Sequence, residues 1–303
     1  MTTSTPTAPL GDPGAAPAQD QPAREVVVGV DGSEIGLSAV RWAAREAVRR
    51  GAPLRILHAA PYLGRRGAHA TPPLELQRAR RIIAQAYTVA RHTDRDLPAV
   101  TEVVPGDPTT ALLQAAPTGQ LVVLGSSATG AADELVLASV AVHVAARSPR
   151  PVVVVPRHRP DGADGRPAVA VLGVGDQADD EAVATFAAEA AERSGVGLTV
   201  LQTRPPRRSI TGSWVDDPGE WQRRHPGVDV SHENLPGARA DQMLGATCPS
   251  PLLVISAGRG SLLHRSLDGT HLWLLRHCTS PMALVPKVHR REPEPREETV
   301  ALG

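Results

Sequence analysis

The chain has 303 residues, enough for two ordinary domains, and its 32 Lys and Arg balance its 32 Asp and Glu. Zero formal charge removes any global electrostatic case for binding nucleic acid or an anionic membrane. Apolar residues make up 41% and charged residues 21%, as in a soluble globular protein, but aromatics are only 2%, so the cores must be built from Val, Leu, Ile and Ala.

Residues 1–23 are rich in Pro, Ala, Thr and Gly without hydrophobic periodicity, and read as a disordered tail. They show no basic patch followed by an apolar segment, the pattern of a secretory signal. No stretch of about 18 or more apolar residues occurs in the chain, so the default expectation is a cytoplasmic protein without a membrane span. Order begins at Glu25 with a buried-strand run, EVVVGVDGS, that ends in a turn. Ser33 is placed to cap a helix in which Leu37, Val40, Ala44, Ala47 and Val48 share one face and Gly51 is the stop. Trp42 falls off that stripe, which leaves burial or a partner contact.

A second strand comes next at Leu54–Ala60. A helix then carries Leu76, Ala79, Ile83, Ala86 and Ala90 at helical spacing, and a third strand runs over Ala99–Val104. Asp107 and Pro108 open a short helix, Asp107 as cap and Pro108 at the first helical position. Strands at Leu121–Leu124 and Val152–Val155 complete five strands separated by four helices. This alternation predicts an α/β fold, a parallel doubly wound sheet with right-handed crossovers.

Residues 158–166 read as a linker rich in Pro, Gly and charge, after which the pattern restarts. Ala168–Val174 and Leu198–Thr203 are strands around the Ala-rich helix Glu181–Arg193. Pro251–Ile255 parallels Leu121–Leu124, and PMALVP at Pro281–Pro286 parallels PVVVVP at Pro151–Pro156. An internal duplication explains the spacing. The interval from Gly29 to Gly125 is 96 positions and that from Gly173 to Ser256 is 83, or 13 fewer. The shortfall is assigned to Arg204–Pro226, which holds four prolines, Trp214 and Trp221 and shows no stable helical stripe. The expected organisation is a first domain at 24–157, a degenerate second domain at 167–288 and a charged tail from 289 to 303. The two cysteines, Cys248 and Cys278, are too few and too distant in sequence for a disulfide framework or a metal knuckle, and read as buried thiols.

In open parallel sheets, ligands sit beyond the carboxyl ends of the strands where strand order reverses. Val30-Asp31-Gly32, His58-Ala59 and the loop from Gly125 should meet there. Asp31 ends an apolar strand, where its carboxylate either accepts from an adenine amino group or a ribose hydroxyl, or caps the following turn; spacing leaves both open. Between Gly125 and the strand closed by Pro156 the sequence predicts a glycine-bearing loop and a helix starting near Ser139, whose hydroxyl caps free N–H groups while the dipole attracts anions. Ser126, Ser127 and Thr129 add hydroxyls to the loop, and His143 and Arg147 fall on the helix beyond it. There is no GxSxG elbow, HExxH, Walker A or paired-carboxylate arrangement, which argues against an enzyme.

These residues give the chain its resemblance to the universal stress protein family in tandem form, over residues 24–157 and more weakly over 167–288. The resemblance implies two Rossmann-like, adenine nucleotide alpha hydrolase-like domains, each an open five-stranded parallel sheet flanked by helices. The family's phosphate signature is a glycine, two residues, a second glycine, nine residues, then a glycine followed by Ser or Thr. Here Gly125, Ala128, Ala138 and Ser139 stand at its four marked positions, and VVVGVDGS places Asp31 on the family's nucleoside-contacting Asp. The methyl groups of Ala128 and Ala138 bear on triphosphate affinity more than on architecture.

By the same likeness, Val30, Asp31, His58 and Ala59 would hold the nucleoside of ATP or another adenine nucleotide, with His58 equally readable as structural. Gly125, Ser127, Ser139 and Val140 would contact its phosphates, with magnesium as their expected companion. In the second copy Ser256, Arg259, Gly269 and Thr270 occupy the signature and Gly175 replaces the Asp, with Asp176 one place along, so no conventional ATP site is expected there. The family likeness also implies that Val152–Val155 and Met282–Val285 pair edge to edge, making an intrachain pseudo-dimer, with a homodimer as a further expectation. The function so implied is a non-catalytic stress-response protein sensing adenine nucleotide in its first domain. The alternative is a nucleotide-independent scaffold, with both sites decayed, that acts through protein partners the sequence does not name.

Overall fold

The computed structural model describes residues 24–61, 73–126, 132–157, 165–173, 177–203, 215, 217–257 and 267–287. The N-terminal tail, most of the linker and the C-terminal tail lie outside them. Short Val- and Leu-rich runs buried on both faces form the central strands, and amphipathic segments form most of the helices between them. The first half runs β1 (Glu25–Gly29), α1 (Glu34–Arg50), β2 (Leu54–Ala60), α2 (Pro73–Thr93), β3 (Ala99–Pro105), α3 (Pro108–Ala115), β4 (Gly119–Ser126), α4 (Ala132–Arg147) and β5 (Val152–Pro156). The second half repeats the plan: β6 (Ala168–Leu172), α5 (Gln177–Ser194), β7 (Leu198–Gln202), α6 (Pro218–Arg224), β8 (Val230–Asn234), α7 (Ala240–Thr247), β9 (Leu253–Ser256), α8 (Gly269–His277) and β10 (Met282–Val285).

The strands form one ten-stranded sheet in the order β3-β2-β1-β4-β5-β10-β9-β6-β7-β8. Read outward from the β5–β10 seam, each half has the same order. Every pairing is parallel except at that seam, where Met282, Ala283 and Leu284 lie antiparallel to Val154, Val153 and Val152. The edge-to-edge pairing expected from the family likeness is therefore present, and it covers two apolar strands that would otherwise be open edges. Alternation along β1 sends Val26 and Val28 to a core beneath α1, α2 and α5, and Val27 to a second core beneath α3, α4, α7 and α8.

The local signals read from sequence are largely in place. Ser33 caps α1 by accepting from the Gly36 N–H, and Gly51 ends it in the left-handed conformation. Asp107 caps α3 by accepting from the Thr110 N–H, with Pro108 in the first turn. The α1 stripe is displaced: Leu37, Val40, Ala44 and Ala47 are buried, but Val48 is 44% exposed while Trp42 is 7% exposed. The reason is that α5 packs beside α1 as well as the sheet beneath it, which turns the buried arc towards Trp42 and Glu46.

Three expectations are corrected. The helix expected near Ser139 starts at Ala132, because residues 132–138 (ADELVLA) contain strong helix formers and no breaker. The irregular stretch Arg204–Pro226 contains α6, capped by Asp217 accepting from the Gly219 N–H and anchored by the fully buried Trp221. The indole Nε1 of Trp221 donates to the Val215 carbonyl at 2.9 Å; Trp214 lies outside the described residues. Finally, the two cysteines meet. Cys248 lies just past α7 and Cys278 just past α8, and because β9 and β10 are neighbours the two Sγ atoms stand 2.9 Å apart.

Candidate functional site

Strand order reverses in the first half at β1, whose two flanks pair with β2 and with β4 as a doubly wound sheet requires. The Val30 N–H donates to the Leu57 carbonyl at 2.9 Å, extending β1 by one bond before the chain turns. Gly32 makes that turn at φ +88°, and a side chain there would also meet Ile82, its Cβ falling 2.8 Å from Cγ1. Asp31 Oδ1 accepts from the Ser33 N–H at 2.9 Å and from the Ser33 hydroxyl at 2.7 Å, and Ser33 Oγ in turn accepts from the Gly36 N–H at 3.0 Å. Asp31 thus holds the capping residue of α1 through one oxygen. No hydrogen bond from the described residues reaches Oδ2.

His58 projects from the end of β2 and its Nδ1–H donates to the Val30 carbonyl at 2.8 Å. In the neutral ring this bond leaves Nε2 as an acceptor. Gly125 sits near the end of β4 against the first turn of α1. A Cβ there would fall 2.8 Å from Ile35 Cγ2 and 3.0 Å from both the carbonyl carbon and oxygen of Ile35. Its need is for close backbone approach rather than positive φ.

Val30, Asp31, His58, Ala59, Gly125 and Val140 line one cavity of about 160 Å³, walled by Ile35, Leu57, Leu112 and Leu124. Six of the ten residues expected at the site therefore come together. Ser127 and Ala128 lie outside the described residues, as does Thr129. The backbone of Ala138 and Ser139 lies inside α4 rather than at its start, so the cavity faces the flank of that helix at Val140 and Ala141. Ser126 is the last residue of β4 and is buried, while His143 and Arg147 lie on α4 beyond the cavity.

The second half is built differently at the matching place. Gly175, Asp176 and Arg259 lie outside the described residues, but Ser256, the counterpart of Gly125, ends β9. The fully buried ring of His271 lies against it, Nε2 donating to the Ser256 carbonyl at 2.8 Å and Nδ1 lying 2.6 Å from Asp268 Oδ1. The same Asp268 oxygen caps α8 by accepting from the His271 N–H at 3.1 Å. Burial opposes the charge on Asp268, and the hydrogen bonds from the His271 ring and backbone outweigh it, drawing its pKa below the usual carboxylate range. His271 is the residue that sequence reading missed. The signal available was the capping pattern Asp268-Gly269-Thr270-His271, which says nothing of Ser256 fifteen residues earlier.

A duplicated, doubly wound parallel sheet with a cavity of about 160 Å³ at the switch point of one half defines the class: a tandem Rossmann-like protein. The universal stress protein family model matches residues 22–156. A universal stress protein of Mycolicibacterium smegmatis is 30% identical over 288 residues, spanning 86% of this chain and 96% of that protein. One from Mycobacterium tuberculosis is 29% identical over 264 residues, spanning 78% of this chain and 88% of that one. A universal stress protein from Archaeoglobus fulgidus superposes with a TM-score of 0.67 over 87% of this chain and 96% of its own, at 16% identity, which bears on the fold. The chain belongs to the universal stress protein family, in the two-domain form.

Proposed function

We propose that the first domain holds the nucleoside end of an adenine nucleotide in the cavity at the ends of β1, β2 and β4, without catalysing a reaction on it. The observation that carries this reading is the meeting of Asp31, His58 and Gly125 on one opening at the switch point. Its volume of about 160 Å³ is close to that of an engineered apolar cavity, about 150 Å³, that takes up benzene. That is room for a base, with ribose and phosphate reaching outward. Asp31 Oδ2 and His58 Nε2 are acceptors, matched to an exocyclic amine and ribose hydroxyls.

Asp31 is the one charged residue among the described lining, and no Lys or Arg joins it. Phosphates therefore add little to affinity from this part of the site, and the monophosphate and triphosphate should bind alike. The cavity offers a magnesium ion a single carboxylate, already half engaged by Ser33, and the described residues contain no group of three or more His, Cys, Asp or Glu fit for a metal. Any magnesium would be carried by the phosphates. Bound nucleotide would act by changing affinity for a protein partner. For the second domain, the buried His271 against Ser256 favours the scaffold reading.

Calorimetric titration of the full chain with adenosine, AMP and ATP tests this reading. We expect binding of all three with affinities within about tenfold of one another. Asp31→Ala should weaken each by about 10- to 100-fold, the loss of one charged hydrogen bond. Circular dichroism separates that loss from unfolding caused by the weaker cap. Absence of wild-type binding at millimolar ligand would overturn the proposal.

A further inference from the structure

The strongest unassigned chemistry lies in the second half, away from the crevice. Cys248 and Cys278 end two helices that cover neighbouring strands, and their Sγ atoms are 2.9 Å apart. A disulfide needs about 2.05 Å, so closure requires a movement of under an ångström. The two thiols differ in access: Cys248 is half-buried, whereas Cys278 is 5% exposed in the core with Met243, Leu274 and Met282. Thr247 Oγ1 lies 3.8 Å from Cys248 Sγ, and the Cys278 S–H also points to the Ser280 carbonyl at 3.6 Å.

This asymmetry assigns roles. The hydrogen bond from Cys278, outweighing burial and aided by Ser280 and Thr247, draws the Cys248 thiol down to about 6. The same bond together with burial pushes Cys278 far up. The half-buried Cys248 is therefore the sulfur placed to meet an oxidant, and the buried Cys278 the one placed to close the bond.

We propose that Cys248 and Cys278 are a reversible dithiol–disulfide pair oxidised by hydroperoxides, which fastens the end of α7 to the end of α8. The Cys248 thiolate attacks one oxygen of hydrogen peroxide; the O–O bond breaks, and the leaving hydroxide takes up a proton to give water. Cys248 is then a sulfenic acid. Cys278 gives up its proton as its sulfur attacks Cys248, the S–O bond breaks, and a second water leaves as the S–S bond forms. Two thiols lose two electrons, and one peroxide is reduced to two waters. A dithiol reductant reverses the change by exchange. The closed loop would tie β9 and α8 to α7 beside the seam, so an oxidant would act on the second half. None of these steps depends on nucleotide binding in the first half.

The test treats the reduced full chain with a small excess of hydrogen peroxide and monitors thiol titration and intact mass. We expect both thiols to be lost together, with a mass lower by two hydrogens in a single chain and full recovery with dithiothreitol. In Cys278→Ala, dimedone should trap a sulfenic acid on Cys248, and in Cys248→Ala the remaining thiol should survive the same exposure. The wild-type result stands even if a variant fails to fold. Both thiols persisting after a glutathione control is oxidised would overturn the proposal, as would disulfides formed only between chains or dimedone on Cys278.

Discussion

Gly125 shows how a single residue serves both packing and site. Its missing side chain lets the end of β4 lie against the Ile35 backbone, and the same approach shapes one wall of the cavity. Gly125→Ala puts a methyl 2.8–3.0 Å from atoms that include main chain, which cannot move aside like a side-chain tip. The variant should lose about 2–3 kcal/mol in urea unfolding, at the upper end of overpacking costs; a wild-type midpoint would show that α1 yields easily. The glycine was legible from its place after an apolar run, but the reason for it was not. Asp31 was legible as a candidate and ambiguous in role, since an Asp before a helix caps and binds with the same oxygens. Its geometry shows the capping bond to Ser33 and leaves a second oxygen for the nucleoside proposed here. His271 was not legible, because its partner Ser256 reaches it only through the pairing of β9 with β10.

At the scale of elements, the legible ones are those set by local pattern. Strands β1, β4, β5 and β10 are Val- and Leu-rich runs buried on both faces, and α1 and α3 carry their caps in sequence. The start of α4 was misplaced because the Ser139 hydroxyl was read as a cap, whereas helix propensity in ADELVLA extends the helix seven residues earlier. Four elements of the second half, α6, β8, α7 and α8, were missed, and the first two show why. β8 (VSHEN) is an edge strand with three exposed residues and no apolar run. α6 is seven residues long, too short for a periodic stripe and too short to be stable alone, so its place depends on Trp221. Trp221→Ala should therefore cost about 3–5 kcal/mol. Trp221→Phe should cost less, about 1–3 kcal/mol, chiefly by leaving the buried Val215 carbonyl without its donor. Equal losses in the two variants, measured by denaturant unfolding, would mean that the hydrogen bond rather than the ring holds α6.

The whole molecule is one sheet made by two copies of a domain, and the seam has support beyond the β5–β10 pairing. Glu46 on α1 is 4% exposed, accepts from Arg50 Nε at 2.7 Å and lies 3.9 Å from Arg193 on α5. The Arg50 guanidinium also sits 5.6 Å from the Phe186 ring centroid of α5. Joining the halves in this way leaves them free to differ in chemistry while sharing a fold. The first keeps a ring-sized opening with Asp31 and His58 on it; the second has His271 against the corresponding strand end and the paired thiols beside the seam. This asymmetry is the central claim, and stoichiometry tests it most directly. Native mass spectrometry of the full chain in millimolar AMP should saturate at one nucleotide per chain, and Asp31→Ala should lower that occupancy. Two nucleotides per wild-type chain, or none, would contradict the account.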